Sequence, residues 1–373
     1  MEKYKVLHVG TSLHSNGGVE KYFIELLNNI NKSKFQIDLM CSDKGYIEDN
    51  EKLFLQSGGN LYKIKDHTKH KFRSIVDKYL IFKNYSDGII HIHTTSGIRA
   101  IDGLIAKVAG VKNIIFHSHS NIDYYPLKYK ITQKIFRTVG VYFLGSSHNA
   151  GRYFFGENID KKNNFSVANN GINLDKFKFS DQQRNAIRSK YNISPSQIVY
   201  GYVGRFSAEK NIYKLMEIFN ELYQLDNTSM FLVIGDGDLE EQMKKYVEQK
   251  KLKNNTLFLG VKNNIHDFMC AMDAFILPSK REGLGIVLIE AQSVGLKCYT
   301  THGIPLEAKV TNLVNFFDVD ISSKEWAEKI QFDMSKEDSI RKDMSINVKS
   351  NGYDIKDTTA KMSDIYLNLL KGR

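Results

Sequence analysis

Short apolar runs alternate along the chain with stretches in which apolar residues recur every three or four positions. Such runs are typical of strands that are buried on both faces, and the three-to-four spacing is typical of amphipathic helices. Strands that alternate with helices form βαβ units around a parallel sheet. The pattern therefore predicts an α/β protein.

Each half of the chain holds enough predicted strands for a sheet of its own. In the first half they are Tyr4–Val9, Phe35–Cys41, Gly88–His93, Asn113–Phe116, Val141–Leu144 and Phe165–Ala168. In the second half they are Ile198–Val203, Met230–Ile234, Thr256–Leu259, Ala274–Leu277 and Lys297–Thr300. The clearest helical spacing covers Val19–Ile30, Arg99–Val108, Asn211–Tyr223 and the last 20 residues.

One polar stretch interrupts the alternation. Residues 171–196 contain Pro195 and lead directly into the first strand of the second half, so we expect an interdomain linker there. The sequence thus predicts two tandem Rossmann-like domains, at residues 1–180 and 181–355. Residues 356–373 are expected to form a helix that returns to the first domain.

Composition narrows the class of protein. Hydrophobic residues make up 42% and charged residues 25% of the 373 residues, which excludes extensive disorder. The cysteines Cys41, Cys270 and Cys298 lie far apart, which argues against a disulfide scaffold or a zinc ribbon and favours a reducing cytosol. No apolar run reaches the ~20 residues of a membrane span. The apolar run near Met1 is too short to predict a secretory signal.

The positive charge is concentrated in the first half of a chain whose formal net charge is +10. Residues 1–200 hold 29 basic and 17 acidic residues, a net +12, whereas residues 201–373 hold 23 and 25, a net −2. A basic half suits an anionic membrane, a nucleic acid or a phosphorylated substrate. No recognised nucleic-acid motif is present.

Two glycine-containing loops follow predicted strands, which is where open α/β sheets bind ligands. After the first strand, Gly17 and Gly18 open a helix whose backbone can approach an anion, although a plain flexible turn would look the same. After the first strand of the second half, the turn from Gly204 carries Arg205 and Lys210. These two cations suit a diphosphate, and a solvated basic loop is the alternative.

A third loop combines glycines with two glutamates. Glu282 follows the predicted strand Ala274–Leu277, and Glu290 lies eight residues later on the next helix, so both can face one pocket. Carboxylates suit sugar hydroxyls because each accepts two hydrogen bonds. Apolar residues flank Glu290, and an unpaired charge buried there would be costly, which favours a functional role.

These loops together resemble the retaining glycosyltransferases of family 4, which have the GT-B fold of two Rossmann-like domains facing each other across a cleft. The shared motifs are the Gly-Gly-Val-Glu loop, Gly-Arg-x5-Asn and Glu-x7-Glu, and the resemblance extends from about residue 5 to 320. The segment Glu-Gly-Leu-Gly-Ile-Val-Leu-Ile-Glu-Ala-Gln resembles the branch that builds bacterial capsules and exopolysaccharides. The chain departs from the family where Gly295-Leu-Lys297 replaces the common Gly-x-Pro and where Asn173 replaces an aspartate.

The resemblance implies roles for the matching residues. Arg205 and Lys210 would bind the donor diphosphate. Glu282 would bind the transferred sugar, and Glu290 would hold the ribose hydroxyls. The implied donor-binding set is Gly17, Gly18, Arg205, Lys210, Val261, Lys262, Glu282, Gly283, Leu284, Gly285, Ile286, Val287 and Glu290, with the backbone of Val261 and Lys262 at the nucleotide base. The implied catalytic residues are Glu282, His119, Arg205 and Lys210.

Two histidine pairs end neighbouring predicted strands. The segment Ile115–Ser120 resembles the strand-end histidine motif of the family and makes His119 the catalytic-site histidine, with His117 as the alternative. His91 and His93 repeat the same spacing one strand earlier. His91, His93 and His117 are expected on the acceptor side, although a single histidine at such a place is often a satisfied core residue.

One stretch of the first half combines lysines with aromatic residues. Residues 124–140 contain Lys128, Lys130, Lys134 and Arg137 and no acidic residue. A basic, aromatic, amphipathic segment suits a membrane surface or a lipid-linked acceptor. An ordinary solvated helix is the alternative.

The resemblance implies a metal-independent, retaining glycosyltransferase without a separate cofactor. The expected donor is a nucleoside diphosphate sugar, with UDP preferred, and the expected acceptor is a saccharide, with a polyprenyl-diphosphate-linked one as a candidate. Neither Asp236-Gly-Asp238 nor Asp318-Val-Asp320 is expected to bind a metal in this fold. We expect a cytoplasmic protein that docks on the inner face of the cell membrane.

Two other functions remain compatible with the motifs. A GT-B sugar-nucleotide epimerase would bind the same donor without a separate acceptor. A non-catalytic protein could bind a nucleotide sugar as a scaffold, although Arg205, Lys210 and both glutamates argue against it. A hydride-transferring dehydrogenase is disfavoured because no GxGxxG motif follows the first strand.

Overall fold

The computed structural model describes residues 3–13, 17–42, 48–65, 71–119, 128–336, 341 and 343–372. The chain divides into two compact units. One combines residues 1–173 with 352–373, and the other comprises 174–351. These divisions fall a few residues before the boundaries at 180 and 355 that the sequence suggests.

The first unit is a seven-stranded parallel sheet with helices on both faces. Its strands are β1 (Tyr4–Val9), β2 (Phe35–Ser42), β3 (Leu61–Ile64), β4 (Ile89–Thr94), β5 (Asn113–Ser118), β6 (Tyr142–Gly145) and β7 (Phe165–Val167). Its helices are α1 (Gly18–Asn29), α2 (Glu48–Gln56), α3 (Lys71–Lys83), α4 (Arg99–Val108), α5 (Lys128–Val139), α6 (His148–Phe155) and, numbered along the whole chain, α14 (Ile355–Leu370). The strand order is β3-β2-β1-β4-β5-β6-β7, as in a Rossmann fold.

Two cores hold this sheet between its helices. On one face, α3 to α6 bury an aromatic cluster in which Phe116 meets Phe136 edge to face, with ring centroids 4.7 Å apart. On the other face, α1 and α14 pack over the central strands through residues such as Phe23 and Tyr366. The last helix of the chain therefore completes the core of the first unit.

The second unit repeats the architecture with six parallel strands. They are β8 (Val199–Val203), β9 (Met230–Ile234), β10 (Thr256–Phe258), β11 (Ala274–Leu277), β12 (Lys297–Thr301) and β13 (Val314–Phe317), in the order β10-β9-β8-β11-β12-β13. The helices are α7 (Asp181–Lys190), α8 (Ile212–Leu225), α9 (Glu240–Gln249), α10 (Ile265–Ala271), α11 (Ile286–Ser293), α12 (Ser323–Met334) and α13 (Ser345–Ser350). The predicted fold class of two Rossmann-like α/β domains is confirmed by these two sheets.

The expectation of a linker across residues 171–196 is wrong in its length, because the middle of this stretch is helix α7. Arg184 Nη2 and Arg188 Nη2 each donate a 2.6 Å hydrogen bond to Asp273, one to each carboxylate oxygen. The helix is polar because its cations bind this carboxylate. It therefore lacks the apolar spacing that would have predicted it.

Two strands were not predicted. Both β3 and β13 lie at the edges of their sheets and are only partly buried. Strands of this kind lack the long apolar run that predicts a central strand of a parallel sheet. Among the described residues, no helix is long and apolar enough to cross a membrane.

Candidate functional site

The strand order of the second unit creates a switch point between β8 and β11. The chain continues from β8 toward β9 on one side and from β11 toward β12 on the other. Loops that leave neighbouring strands in opposite directions open a crevice at their carboxyl ends, where α/β proteins bind ligands. The Arg205–Lys210 loop follows β8, and the Glu282 loop follows β11, so the two predicted loops flank this point.

The loop after β8 is held by its neighbours while its cations remain accessible. Phe206 is buried, and its backbone N–H donates to the carbonyl of Asp236 at 2.7 Å. The hydroxyl of Tyr202 donates to the carbonyl of Arg205 at 2.9 Å. The Arg205 side chain is exposed, and Lys210 ends a short 3-10 turn before α8. The loop thus presents two cations on a fixed backbone.

Lys210 and Glu282, which are 72 residues apart in sequence, form an ion pair across the switch point. Their side chains are 23% and 10% exposed. Ser279 donates a 2.9 Å hydrogen bond to the same carboxylate oxygen, Oε1. Burial raises the pKa of Tyr202 well above its usual value, and the charge of Glu282 adds to this shift. The Lys210–Glu282 pair therefore lies in a partly desolvated site where charge interactions are stronger than in bulk water.

The loop around Glu282 is tied to both neighbouring loops. The N–H of Glu282 donates to the carbonyl of Gly303 at 3.0 Å, and that of Lys280 donates to the carbonyl of Glu209 at 2.8 Å. A Cβ on Gly303 would lie 2.3 Å from the carbonyl oxygen of Lys280, so only glycine fits there. The backbone around the carboxylate is therefore fixed independently of any ligand.

The glycines that precede α11 turn the chain into the helix. Gly285 has φ +75° and ψ 52°, a left-handed conformation that glycine adopts without strain. Gly283 and Leu284 lie in the loop before it, and Ile286 and Val287 form the first helical turn. This places a helix N-terminus, which favours anions, directly after Glu282.

Glu290 lies on α11, and its side chain is only 4% exposed. The prediction of a buried carboxylate on this helix agrees with its position. Val261 and Lys262 follow β10, next to Gly260, whose carbonyl accepts from the N–H of Gly235 at 3.0 Å. The Val261 side chain is exposed. From the sequence, only the backbone of Val261 and Lys262 is expected to contact the nucleotide base.

In the first unit, the switch point lies between β1 and β4. Gly17 is the N-cap of α1, and Gly18 is its first residue. A Cβ on Gly18 would meet no atom within 4 Å among the described residues, so none of their contacts requires glycine at this position. The close approach of a ligand to the backbone would be a reason for glycine at position 18.

The four predicted histidines lie together on one face of this sheet. His91 and His93 belong to β4, His117 belongs to β5, and His119 follows β5 directly. His91 Nε2 lies 3.2 Å from His117 Nδ1, and His93 Nδ1 lies 2.8 Å from His119 Nε2. His119 is 8% exposed and the other three are fully buried.

Sequence reasoning missed two members of this cluster, His8 and Tyr366. His8 lies opposite His91 in the strand register, and the Tyr366 hydroxyl lies 2.7 Å from His91 Nδ1. The alternation of side chains along β1 could have indicated His8. No local pattern indicates Tyr366, which lies 275 residues from His91.

Burial keeps these histidines neutral. It lowers the pKa of His8 and of His119 to about 3. Burial, followed by repulsion from neighbouring imidazoles, lowers the pKa of His91, His93 and His117 well below the usual value. Nitrogens of these last three lie within 4.8 Å of one another, close enough to be considered as metal ligands.

Comparisons with known proteins agree with the two-unit architecture. Residues 12–143 match the family described as glycosyl transferase 4-like, and residues 183–351 match that of glycosyl transferases group 1. EpsF of Bacillus subtilis (strain 168), assigned to the glycosyltransferases, is 26% identical over 97% of this chain and 96% of its own length. An Escherichia coli UDP-Gal:alpha-D-GlcNAc-diphosphoundecaprenol alpha-1,3-galactosyltransferase is 24% identical over 99% of this chain and 98% of its own length.

Two further comparisons point the same way. The capsular polysaccharide biosynthesis glycosyltransferase CapH of Staphylococcus aureus is 24% identical over 98% of this chain and 99% of its own length. Among solved structures, Anabaena HepE in complex with UDP and glucose superposes with a TM-score of 0.78 over 97% of this chain and 98% of that chain, at 16% identity. These comparisons show that the chain is a glycosyltransferase, in which residues 12–143 match the glycosyl transferase 4-like model and residues 183–351 match the glycosyl transferases group 1 model.

Proposed function

We propose that the protein is a retaining glycosyltransferase that moves a sugar from a UDP-sugar to a saccharide acceptor in capsule or exopolysaccharide biosynthesis. The observation that carries the proposal is the Lys210–Glu282 pair, beside Arg205, at the switch point of the second unit. The relatives named for capsule and polyprenol-linked glycan synthesis, and the HepE complexes with UDP, support the same substrate class.

The chemistry follows from the charges at this site. Departure of the sugar leaves negative charge on the nucleoside diphosphate, and a preorganised cation stabilises that charge as it develops. Arg205 offers an accessible planar fork of donors, and Lys210 offers a compact charge. Glu282 holds Lys210 in place and has an oxygen to accept from sugar hydroxyls, while Glu290 accepts from the ribose.

We also propose that transfer needs no metal ion, because Arg205 and Lys210 supply the positive charge that a divalent cation would supply elsewhere. Transfer is then unchanged by EDTA. Full dependence on Mg²⁺ or Mn²⁺ would instead implicate one of the Asp-x-Asp segments.

The donor class can be tested with the purified protein. UDP-, GDP- and ADP-sugars are compared by thermal shift, because a ligand that binds the folded state raises its stability. We expect the largest shift with a UDP-sugar, followed by sugar transfer when a saccharide acceptor is added. An epimerised donor formed without acceptor would favour the epimerase, and binding without any turnover would favour the scaffold.

The acceptor is proposed to be lipid-linked and to be reached from the inner face of the cell membrane. Half of the exposed large apolar side chains of the described residues lie on, or directly before, three neighbouring helices of the first unit, α3 to α5. They are Phe72, Ile75, Val76, Leu80, Ile98, Ile101, Leu104, Val108 and Ile131. Concentration of this kind marks an interaction surface, here named the α3–α5 surface.

Basic side chains accompany these apolar ones. Exposed cations on the same helices are Arg73, Lys83, Lys107, Lys130, Lys134 and Arg137. The described acidic residues there are Asp77, which is partly exposed, and Asp102, which is buried in an ion pair with Lys78 at 2.6 Å. Apolar side chains among cations fit the headgroup region of an anionic bilayer.

The α3–α5 surface is larger than the membrane-contact segment that the sequence predicts at residues 124–140. Of residues 124–140, positions 124–127 lie outside the described residues, and the remainder contains α5. Phe136 of α5 points into the core, whereas Ile131 is 68% exposed. The proposed membrane contact therefore includes α3 and α4 as well as the predicted segment.

A further inference from the structure

Arg99, the first residue of α4, has a guanidinium that is only partly paired within the protein. Its Nη1 donates a 3.0 Å hydrogen bond to Asp102 Oδ2, and its side chain is 29% exposed. Its Nε is buried and has no hydrogen-bond partner. The edge formed by Nε and Nη2 binds an oxyanion side-on, as the same edge of Arg152 binds Asp160. Within the described residues, this edge of Arg99 donates no hydrogen bond.

Two arginines of the second unit show how the protein treats a guanidinium that only holds the fold together. Arg188 donates from Nε and Nη1 to backbone carbonyls and from Nη2 to Asp273. Arg341 donates from all three nitrogens to backbone carbonyls. A buried donor without a partner is costly. The open edge of Arg99 is therefore not explained by packing and favours a ligand that accepts hydrogen bonds.

This open edge lies at the switch point between β1 and β4. Gly10 directly follows β1, and a Cβ there would lie 3.1 Å from Arg99 Nε. Thr11, the next residue, is 4% exposed, and its hydroxyl has no hydrogen-bond partner. After β4, Thr95 and Ser96 are exposed. A guanidinium and hydroxyl groups thus lie at the carboxyl ends of two central strands, where α/β sheets bind ligands.

The charges around Arg99 favour an anion as that ligand. The Asp102 side chain is 3% exposed, and it pairs with Lys78 Nζ at 2.6 Å as well as with Arg99. Two cations share one carboxylate, so this largely buried group carries a net charge of +1. An anion at the open edge would compensate this charge. A phosphate matches a side-on guanidinium in both charge and geometry.

Exposed apolar side chains lie directly beside Arg99. Ile98, which precedes it, is 48% exposed. A Cβ on Gly97 would lie 3.2 Å from Thr132 Cγ2, so the loop before Arg99 packs against α5, on which Ile131 is exposed. Both α4 and α5 begin at the carboxyl edge of the sheet. Arg99 is therefore at the end of the α3–α5 surface that is nearest to the switch point.

We propose that Arg99 binds a phosphate of the acceptor through its Nε–Nη2 edge, and that the hydrocarbon chain attached to this phosphate lies along Ile98, Ile101 and Ile131. This role rests on the proposed function, because it names the part of a lipid-linked acceptor that the first unit recognises. A prenyl diphosphate combines the two chemical features, an anion for the guanidinium and a hydrocarbon chain for the apolar side chains.

The test is calorimetric titration of the whole chain with farnesyl diphosphate, in the presence of saturating UDP so that the proposed donor site is occupied. The wild type should bind this probe roughly 10-fold or more tightly than farnesol or inorganic pyrophosphate, because each of these supplies only one of the two features. Arg99→Gln should weaken the binding roughly 10-fold or more, the scale of losing charge-assisted hydrogen bonds. Arg152→Gln, at an exposed arginine of α6, is the matched control and should bind as the wild type does.

Several results of this titration would overturn the proposal. Wild-type affinity in Arg99→Gln would do so, as would binding that is lost in Lys210→Ala but not in Arg99→Gln, because the diphosphate would then lie at the donor site. Pyrophosphate that binds as tightly as farnesyl diphosphate would indicate a site for free phosphate. A short-chain phosphatidylglycerol that binds as tightly would indicate a site for phospholipid headgroups.

A second measurement uses the wild type alone and decides even if Arg99→Gln does not fold. A photoreactive analogue of farnesyl diphosphate should label α4 or α5, and excess farnesyl diphosphate should prevent the labelling. Labelling confined to the second unit would overturn the proposal. Absence of sugar transfer in the wild type would contradict the proposed function and leave the binding result standing. Sugar transfer together with unaltered binding in Arg99→Gln would overturn only the role of Arg99.

Discussion

Lys210 and Arg205 differ in how the protein holds them, and this difference bears on their roles. Lys210 is paired with Glu282 in a partly buried site, whereas Arg205 is exposed at the loop surface. A diphosphate next to Lys210 would share its ammonium with the glutamate, which keeps the cation in place throughout the reaction. We therefore propose that Lys210 would present a fixed positive charge to the diphosphate, and that Arg205 would present a mobile one through its planar fork of donors.

Replacing Arg205 or Lys210 with alanine should lower turnover roughly 100-fold or more, the scale of losing one charge-stabilising donor. Initial rates of transfer from the UDP-sugar measure this. Lys253→Ala, which removes an exposed lysine elsewhere in the second unit, serves as the matched control and should retain the wild-type rate. Wild-type turnover in both variants would place the diphosphate elsewhere.

Sequence reasoning could single out the residues that belong to local motifs, and the roles proposed for them stay predictions. Lys210 and Glu282 belong to separate motifs, and their pairing follows from the adjacency of β8 and β11. Tyr366 was missed because its contacts with His8 and His91 depend on where α14 packs. Its own helix shows only an ordinary amphipathic pattern.

At the scale of elements, the central strands of both sheets were predicted because burial on two faces requires continuous apolar runs. Tyr4–Val9, Met230–Ile234 and Ala274–Leu277 match the prediction at both ends. The edge strands β3 and β13 and the polar helix α7 were missed, although two other edge strands, β7 and β10, were predicted. The loops after β8 and β11 stood out in the sequence because glycines mark them, and their role in donor binding stays a prediction.

Strands β1, β4 and β5 make the first unit sensitive to acid. Their buried histidines have folded-state pKa values below the unfolded value of about 6.5, so the unfolded state binds more protons as the pH falls. Stability is therefore full above pH ~6.5 and should fall below it, by up to about 1.4 kcal/mol per histidine per pH unit.

Urea unfolding of the first unit between pH 5 and 8 measures this dependence. His148→Gln, which replaces an exposed histidine on α6, should leave the slope unchanged. A free energy of unfolding that stays constant from pH 7.5 to 5.5 would show that folding does not lower the pKa of the buried histidines.

At the scale of the whole molecule, the excess positive charge lies in the first half of the chain, as do two thirds of the exposed large apolar side chains of the described residues. The basic half of the sequence, with its net +12, contains the α3–α5 surface, whereas residues 201–373 carry a net −2. This division matches a protein whose first domain meets an anionic bilayer and an acceptor, and whose second domain binds a nucleotide. Each cation near an anionic surface contributes ~1 kcal/mol, so binding should be reversible.

Co-sedimentation with vesicles tests the α3–α5 surface. We expect binding to anionic vesicles that is lost at high salt, because the Debye length falls to ~3 Å at 1 M. Changing Lys130, Lys134 and Arg137 to Gln, or Ile101 and Leu104 to Ser, should release the protein without altering UDP-sugar affinity. Phe332→Ser, at an exposed apolar residue of the second unit, is the control. If the wild-type protein does not co-sediment with anionic vesicles at low salt, the acceptor is reached from solution.

The central claim is retaining transfer from a nucleoside diphosphate sugar by the Lys210–Glu282 site. The most direct measurement is NMR of a reaction that contains a UDP-sugar labelled with ¹³C at C1 and a saccharide acceptor, for the wild type and for Lys210→Ala. We predict that label appears in a glycoside with the anomeric configuration of the donor, together with free UDP, and that Lys210→Ala forms it at least 100-fold more slowly. An inverted glycoside, or an epimerised UDP-sugar formed without acceptor, would contradict the account.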